Sequence, residues 1–209
     1  MTDQISFKTR VRNNAVTYAS QYDTLFVKKS YLLISDAFIK RPFYILEAEP
    51  TNYLHLIGVS TNLSASVFYT KCLTGTLTES DFDLSFHGKD PKQSKGAIRQ
   101  KILTLPEMFN ILQQESFVEE DFSKNVVRCS FASSNGICTV GFVSTPIARP
   151  MTLLRGDELD HSKAKHLKLL LSKERNEERF SQILIGKKKD IKYLTSEIEE
   201  LINTNLFDA

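Results

Sequence analysis

The chain has 209 residues, of which 41% are apolar and 25% are charged, as is usual for a packed globular protein. Its 27 Lys and Arg residues against 25 Asp and Glu residues give a net charge of +2, so overall charge does not mark it as a nucleic-acid binder. The longest apolar runs, 31–34 and 167–171, are far too short to cross a bilayer, and the polar, acidic start is unlike a secretory signal. We therefore expect a cytoplasmic protein without a membrane span, built as one large domain or one domain with a helical extension.

Three cysteines, Cys72, Cys129 and Cys138, cannot form a fully paired disulfide framework, and none stands in a metal-ligand spacing. We interpret all three as small buried apolar residues. Because no cluster of ligand residues is found along the chain, the sequence predicts a protein that needs no metal and no other cofactor.

An amphipathic helix is predicted at the start of the chain, capped by Asp3 or Ser6. Its apolar residues recur at steps of three and four: Phe7, Val11, Ala15, Tyr18, Tyr22 and Leu25. Three β-rich segments follow, at 30–35, 43–48 and 53–59, punctuated by Pro42 and by the cluster at 49–52.

The third of these segments, 53–59, is the most informative. Strand alternation would bury Leu54 and Leu56 and place Tyr53 and His55 on the other face. After a turn at 58–61, a helix is predicted over about 63–74, capped by Thr61 or Asn62 and ended by Gly75.

A basic segment at 89–101 comes next, and Pro91 and Gly96 predict that its start is not helical. Its basic residues are Lys89, Lys92, Lys95, Arg99 and Lys101. Such a run can follow a phosphate backbone, although a lysine-rich loop is more often a solvated surface. Thr104 and Glu107 then form a capping-box pattern, which predicts a helix from there to about Glu115.

A β-hairpin is predicted over 125–145 because Asn135-Gly136 is a strong two-residue turn signal. Pairing Ser134 with Ile137 sorts the hairpin side chains into two faces, and a four-residue turn would give the same sorting. The predicted core face holds Val127, Cys129, Phe131, Cys138, Val140 and Phe142. The predicted polar face holds Arg128, Ser130 and Thr139.

Beyond Pro150 we predict strands at 151–155, 167–172 and 180–185 and a final helix over about 188–203. The domain prediction is an α+β unit over 1–150 and a β/α extension over 151–209, packed on the same domain. A dimer contact and a surface for an inhibitor protein are the alternative roles of this extension.

The order of three segments along the chain carries a family resemblance: YLHLIGV at 53–59, a helix with FYTKCL at 68–73, and KILTLP at 101–106. It resembles the fourth phage-type family of nucleases with the Barnase–EndoU–colicin–RelE-like fold, over roughly residues 25–150. The resemblance implies an α+β fold in which a twisted antiparallel sheet, with a polar open face, packs on helices at both ends of the chain. It also implies a toxin-like endoribonuclease from a phage or mobile element, acting on RNA without metal.

His55 is the principal candidate catalytic residue, because histidine titrates near neutral pH and can serve as general acid or base. The resemblance implies cationic roles at the phosphate for Lys71, Lys101 and Arg128. Candidate RNA contacts are Tyr53, Lys89, Lys92, Lys95, Arg99, Ser130 and Thr139.

Each candidate also has a purely structural interpretation: His55 as a half-exposed strand residue, Lys71 as a lysine extending from a packed helix, and the hairpin residues as an ordinary sheet surface. The carboxylates of Asp81, Asp83 and residues 119–121 suggest no paired-carboxylate mechanism. Two alternatives to an enzyme remain: a non-catalytic RNA- or protein-binding module of this fold, and a phage accessory protein that binds a host factor. The expected partners are an RNA substrate and an inhibitor protein or host factor.

Overall fold

The computed structural model describes residues 5–85, 91–191 and 196–206, which form an α+β fold, as predicted. A π-helical turn, Asp23–Val27, extends the first helix. The helices are α1 (Phe7–Tyr22), α2 (Asn52–Ile57), α3 (Ala65–Leu73), α4 (Pro91–Met108), α5 (Lys188–Ile191) and α6 (Ser196–Glu199). The strands are β1 (Lys29–Ser35), β2 (Tyr44–Leu46), β3 (Phe117–Glu120), β4 (Ser123–Lys124), β5 (Val127–Arg128), β6 (Phe131–Ser134), β7 (Cys138–Ser144), β8 (Ala148–Arg155), β9 (Lys165–Glu174) and β10 (Gln182–Ile185).

The main sheet is mixed and closes into a barrel, which differs from the expected twisted antiparallel sheet. Its strand order is β1-β2-β8-β7-β6-β3-β9, and β9 then pairs with β1. Only β2 and β8 pair in parallel, while β10 adds to the outside edge of β9 and β4–β5 form a separate ribbon. Closure is possible because β9 is long: one edge pairs with β1, and the other pairs first with β3 and then with β10.

Apolar side chains cover both faces of the barrel wall. The largest cluster joins α1, α2 and α4 to strand residues such as Leu33, Val140 and Phe142. A second cluster packs the C-terminal elements on β1 and β9, and a third packs Leu159 and Ala164 on β6. In these regions the polar open face that we expected is therefore covered by a second apolar layer.

Residues beyond 150 belong to the same sheet as the earlier ones. Strand β8 runs across position 150 along β7, and β9 pairs with both β1 and β3. The boundary predicted at 150 therefore falls inside a strand of the barrel.

The segment 53–59 is a helix, α2, so the predicted strand is wrong. Tyr53, Leu56 and Ile57 are buried, at the i, i+3 and i+4 spacing of one helical face. The helix ends at Gly58, whose φ of +74° is a left-handed conformation that glycine adopts without steric cost. Over only six positions the apolar residues fit both the strand and the helix periodicity, and here burial against α1 and β8 selects the helix.

The predicted loop at 89–101 and the predicted helix start at Thr104 are replaced by one continuous helix, α4, over the described part of that region. Thr104 does not cap it: its Oγ1 donates to the Gln100 carbonyl oxygen at 2.7 Å, one turn back along the helix. Buried residues continue at helical spacing through this point, so packing outweighs the local signals from Gly96 and Pro106. These residues are Ser94, Ile98, Ile102, Leu105 and Met108.

The hairpin turn contains four residues, and Ser134 pairs with Thr139 instead of Ile137. The Asn135 side chain accepts from the amides of Ile137 and Cys138 at 3.1 and 3.0 Å, which stabilises the longer turn. The parity argument still holds for the strands themselves, because Phe131, Val140 and Phe142 lie together in the main core.

Two parts of the predicted hairpin sorting are wrong. Cys129 and Val127 belong to the outer cluster, because the chain leaves the ladder between β5 and β6 and the alternation restarts at Phe131. Arg128 lies in the β4–β5 ribbon, so it shares no face with Thr139.

The terminal helices agree with prediction only in part. Ser6 caps α1, and its Oγ accepts from the Thr9 amide at 3.0 Å. Helix α3 is capped by Ser64 instead of the predicted Thr61 or Asn62, because the Ser64 hydroxyl accepts from the Val67 amide. The final helix is short on either side of the undescribed residues 192–195, although Ile191 and Ile198 are buried as the predicted stripe requires.

Candidate active site at the barrel mouth

Two of the predicted catalytic residues, His55 and Lys101, lie together. His55 is exposed near the end of α2, and the Lys101 ammonium on α4 donates to the His55 carbonyl oxygen. The Lys101 stem crosses Gly58, where an added Cβ would lie 2.6 Å from Lys101 Cδ. Partial burial, with the nearby Lys101 charge as a second cause, lowers the pKa of His55 below its usual value.

The other two predicted cations lie apart from this pair. Lys71 Nζ donates to both carboxylate oxygens of Asp81, at 2.9 and 3.0 Å. Arg128 is exposed and donates to the backbone oxygens of Asn125 and Val127. The contacts therefore do not unite the predicted catalytic set in one site.

Two predicted RNA contacts are corrected because they are buried. The Tyr53 ring is fully buried, and its hydroxyl donates to the Ala15 carbonyl oxygen at 2.8 Å. Thr139 is fully buried, and its Oγ1 donates to the Gly156 carbonyl oxygen at 2.9 Å. Neither side chain can reach RNA in this conformation.

The remaining predicted RNA contacts are distributed differently. Lys92, Lys95 and Arg99 are exposed on α4, whereas Lys89 lies outside the described residues. Ser130 is partly exposed and accepts from the Ser144 amide at 2.9 Å.

The structure presents a different cluster at one end of the barrel, where β1, β3 and β7 end and β2, β6 and β8 begin. At its centre is the carboxylate of Glu120. Its Oε1 accepts from the Tyr44 hydroxyl at 2.7 Å, and its Oε2 accepts from the amides of Ile39 and Lys40 at 2.7 and 2.9 Å. Burial, with the bond to Glu120 as a second cause, raises the pKa of Tyr44.

Two cations lie beside this carboxylate. Lys40 Nζ donates to Asp121 Oδ1 at 2.8 Å, and this bond raises the pKa of Lys40. The Arg41 guanidinium lies 5.5 Å from the centroid of the Tyr44 ring and donates to Ser144 Oγ at 3.3 Å and to the Pro146 carbonyl oxygen at 3.1 Å. Arg41 makes no ion pair with a carboxylate of any described residue.

A depression of about 170 Å³ opens between these groups; its lining is Lys40, Arg41, Tyr44, Asp121 and Ser130. We call this depression, together with the adjoining carboxylate of Glu120, the barrel-mouth cleft. It shares Lys40 and Asp121 with a larger depression of about 540 Å³ that extends to Lys163 and Lys165. On the other side, Arg41 and Tyr44 border an apolar depression of about 290 Å³ that includes Phe43 and Pro146.

Except for Ser130, the residues of the cleft were not predicted as site residues, and Glu120 and Asp121 were considered only as carboxylates without a paired mechanism. The available signals were the adjacent cations Lys40-Arg41 before Pro42 and the acidic run at 119–121. Both lie between predicted elements, and 80 residues separate Lys40 from Glu120. Only the closure of the barrel brings them together.

The cleft is a site of two carboxylates, two cations and hydroxyl groups, in which Asp121 is paired with Lys40. Within residues 5–85, 91–191 and 196–206 there is no group of three or more His, Cys, Asp or Glu side chains placed to hold a metal ion.

In the same part of the chain, no helix is long and apolar enough to span a bilayer.

Comparison with models of known protein families assigns the chain to one of them. A sequence model of the phage-Barnase-EndoU-ColicinE5/D-RelE like nuclease 4 family matches residues 16–189. The match covers most of the chain, so the protein belongs to this family of nuclease-like proteins. It extends beyond the span of 25–150 on which the resemblance rested and includes β8, β9 and β10. No curated protein and no solved structure matches the chain.

Proposed function

We propose that this member of the nuclease family is an endoribonuclease that cuts RNA by attack of the 2′-OH, and that the reaction takes place in the barrel-mouth cleft. The observation that carries the proposal is the Glu120 carboxylate, which accepts from the Tyr44 hydroxyl and the Lys40 amide, with the Arg41 guanidinium beside the Tyr44 ring. Family membership supports nuclease activity; RNA as the substrate is our inference from the chemistry of the cleft.

Cleavage of RNA through the 2′-OH requires a base for the hydroxyl proton and cations for the charge that builds on the phosphate. Of the two carboxylates of the cleft, Asp121 is paired with Lys40, whereas Glu120 uses three of its acceptor positions, which leaves one for a substrate hydroxyl. Arg41 supplies a guanidinium fork suited to phosphate oxygens. Lys40, whose ammonium is paired with Asp121, supplies a second positive charge.

The neighbouring depressions suit an extended single strand. Phe43 and Pro146 give an apolar surface on which a base can stack, and Lys163 and Lys165 can neutralise a phosphate on the other side. These chemical groups work without a metal ion, so we propose that the reaction is metal-independent.

His55 is the second candidate for the catalytic acid or base, with Lys101 beside it. Its exposure and its lowered pKa would suit a base near neutral pH. It lies on α2, away from the cleft, so the two candidates can be separated by mutation.

The decisive experiment is cleavage of an end-labelled RNA by the purified chain in chelator, with Glu120→Gln, Arg41→Ala and His55→Ala forms assayed in parallel. We expect a product with a cyclic phosphate, and a loss of about 10²–10⁴-fold for Glu120→Gln. Glu174→Gln is the matched control, because Glu174 is an exposed glutamate in an ion pair with Lys29 at the other end of β1.

Three results would contradict parts of the proposal. Activity that depends on added metal would refute the metal-independent mechanism. Loss of activity in His55→Ala but not in Glu120→Gln would move the chemistry to α2. Absence of cleavage would favour the non-catalytic binding module.

We further propose a cytoplasmic, toxin-like role encoded by a phage or mobile element, for which an inhibitor protein or host factor would be the expected partner. Growth arrest on induced expression, relieved by Glu120→Gln, would support this role.

A further inference from the structure

The helical side of the barrel carries a strongly basic face. Helix α1 contains Lys8, Arg10 and Arg12 and no Asp or Glu, and α4 contains Lys92, Lys95, Arg99 and Lys101 with Glu107 as its one acidic residue. The two helices pack against each other. Arg10 and Arg99 meet at one groove between the helices, whereas Lys8 pairs with Asp83 and Arg12 donates to the Leu77 carbonyl oxygen.

Two arginines of this face share one aromatic ring. The guanidinium carbons of Arg10 and Arg99 lie 5.6 and 5.4 Å from the centroid of Phe7. Cation–π contacts hold both side chains in place despite their like charge. Neither guanidinium has an ion pair with a carboxylate among the residues that the structure describes.

The arginines border a groove of about 160 Å³ with polar and apolar walls, which are formed by Phe7, Arg10, Asn14, Arg99, Ile102 and Leu103. Leu103, which lines the groove, is 60% exposed. Lys92 and Lys95 lie along the same helix toward its N-terminus and are exposed.

The groove is remote from the barrel-mouth cleft. Gln100, next to Arg99, accepts from Arg155 Nη1 at 3.2 Å, and Arg155 is the last residue of β8. The first residue of β8, Ala148, pairs with β2 near the mouth. An eight-residue strand spans roughly 25 Å, so this distance separates the two surfaces.

We propose that the α1–α4 groove is a second RNA-binding surface, where Arg10 and Arg99 hold a phosphate of the substrate strand at a distance from the cut. The inference rests on the proposed function in one respect, that the substrate is RNA. Two guanidinium groups beside an exposed apolar side chain match the alternation of phosphate and base along a single strand.

An acidic protein is the other class of partner for a basic face. A stable protein interface buries about 800 Å² on each partner around an apolar centre. The groove is narrow, and Leu103 is the one residue among its lining that is markedly exposed and apolar. These dimensions favour a nucleic-acid strand.

The test measures binding separately from cleavage. Affinity for a 2′-O-methyl RNA of about 20 nucleotides, which cannot be cut through its 2′-oxygens, is measured against salt concentration by fluorescence anisotropy. Each lost phosphate contact should reduce the slope of log K against log salt by about 0.7, so Arg10→Ala and Arg99→Ala should each do so. Arg179→Ala is the control, because Arg179 is exposed on the turn before β10.

Cleavage of a trinucleotide RNA is measured for the same variants and should be unchanged, since so short a substrate cannot reach both surfaces. Unchanged salt slopes for Arg10→Ala and Arg99→Ala would overturn the inference and would favour a protein partner for this face. Loss of trinucleotide cleavage in either variant would also overturn it, because the groove would then be part of the cleavage site. A parent protein that binds with the predicted slopes but cuts nothing would refute the proposed function and leave this inference standing.

Discussion

Substitution of Gly141 by alanine should destabilise the barrel, because β7 lies against two side chains at this point. A Cβ added at Gly141 would lie 2.6 Å from Cys129 Sγ and 2.8 Å from Thr152 Cγ2. Both neighbours are buried, and Cβ atoms in real proteins essentially never approach other atoms this closely. One of the neighbours or the strand itself must therefore move.

The expected cost is about 1–3 kcal/mol, the usual range for an extra methyl group in a packed interior. Cys129 has a small side chain that can rotate, but Thr152 is β-branched and stiff, so the collision is not fully relieved by rotation. For a chain of this size the melting temperature should fall by about 2–4 °C for each kcal/mol.

A second glycine provides the control. Gly96 lies inside α4, where an added Cβ would meet nothing within 4 Å. Alanine is a better helix former than glycine, so Gly96→Ala should stabilise the protein by about 0.5–1 kcal/mol. Replacing glycine by alanine is thus expected to lower the stability at Gly141 and to raise it at Gly96.

Urea denaturation followed by far-UV circular dichroism measures both variants, since the chain has no tryptophan to report on unfolding. Cys129→Ala added to Gly141→Ala should recover part of the loss, with a coupling energy of about 0.5–3 kcal/mol in a double-mutant cycle. A Gly141→Ala protein as stable as the parent would refute the packing of β7 against Cys129 and Thr152.

Two further predictions concern titration. Lys101→Met keeps the aliphatic stem over Gly58 but removes the charge that contributes to lowering the pKa of His55. The pKa of His55, followed by NMR through its ring protons, should rise in Lys101→Met, and an unchanged value would show that the lysine charge does not act on the ring. The hydrogen bond from Lys71, followed by those from Thr78, lowers the pKa of Asp81 to about 2 from its ordinary 3.8. Because the folded-state pKa is depressed, this carboxylate stabilises the fold above about pH 4, and its contribution is lost as pH falls toward 2. Asp81→Asn should remove that part of the acid-dependent loss of stability, and an acid denaturation curve identical to that of the parent would contradict it.

The sequence by itself determined those elements whose local signals and tertiary packing agree. Ser6 caps α1 because its hydroxyl satisfies a free amide at the start of an apolar stripe, and both facts are local. Phe131, Val140 and Phe142 share a face because side chains alternate along paired strands whatever the length of the turn. Cys72 and Cys138 are buried because they occur among apolar residues in regular elements, and Cys129 is buried between β5 and β6.

The predictions from the sequence were wrong where the residues were equally consistent with two local structures. Tyr53–Ile57 fits a strand or a helix over so few positions, and contact with α1 and β8 selected the helix. Thr104 and Glu107 match a capping box, but burial of Leu105 and Met108 keeps the helix continuous through that position.

The candidate site was decided by tertiary structure alone. Lys40 and Glu120 are brought together because β9 pairs with β1 on one edge and with β3 on the other, which closes the barrel and joins their loops. Pairing between strands that are far apart in the chain depends on the free energy of the whole fold. No short segment contains that information. His55 could therefore be named as a candidate catalytic residue from the sequence, whereas Glu120 could not.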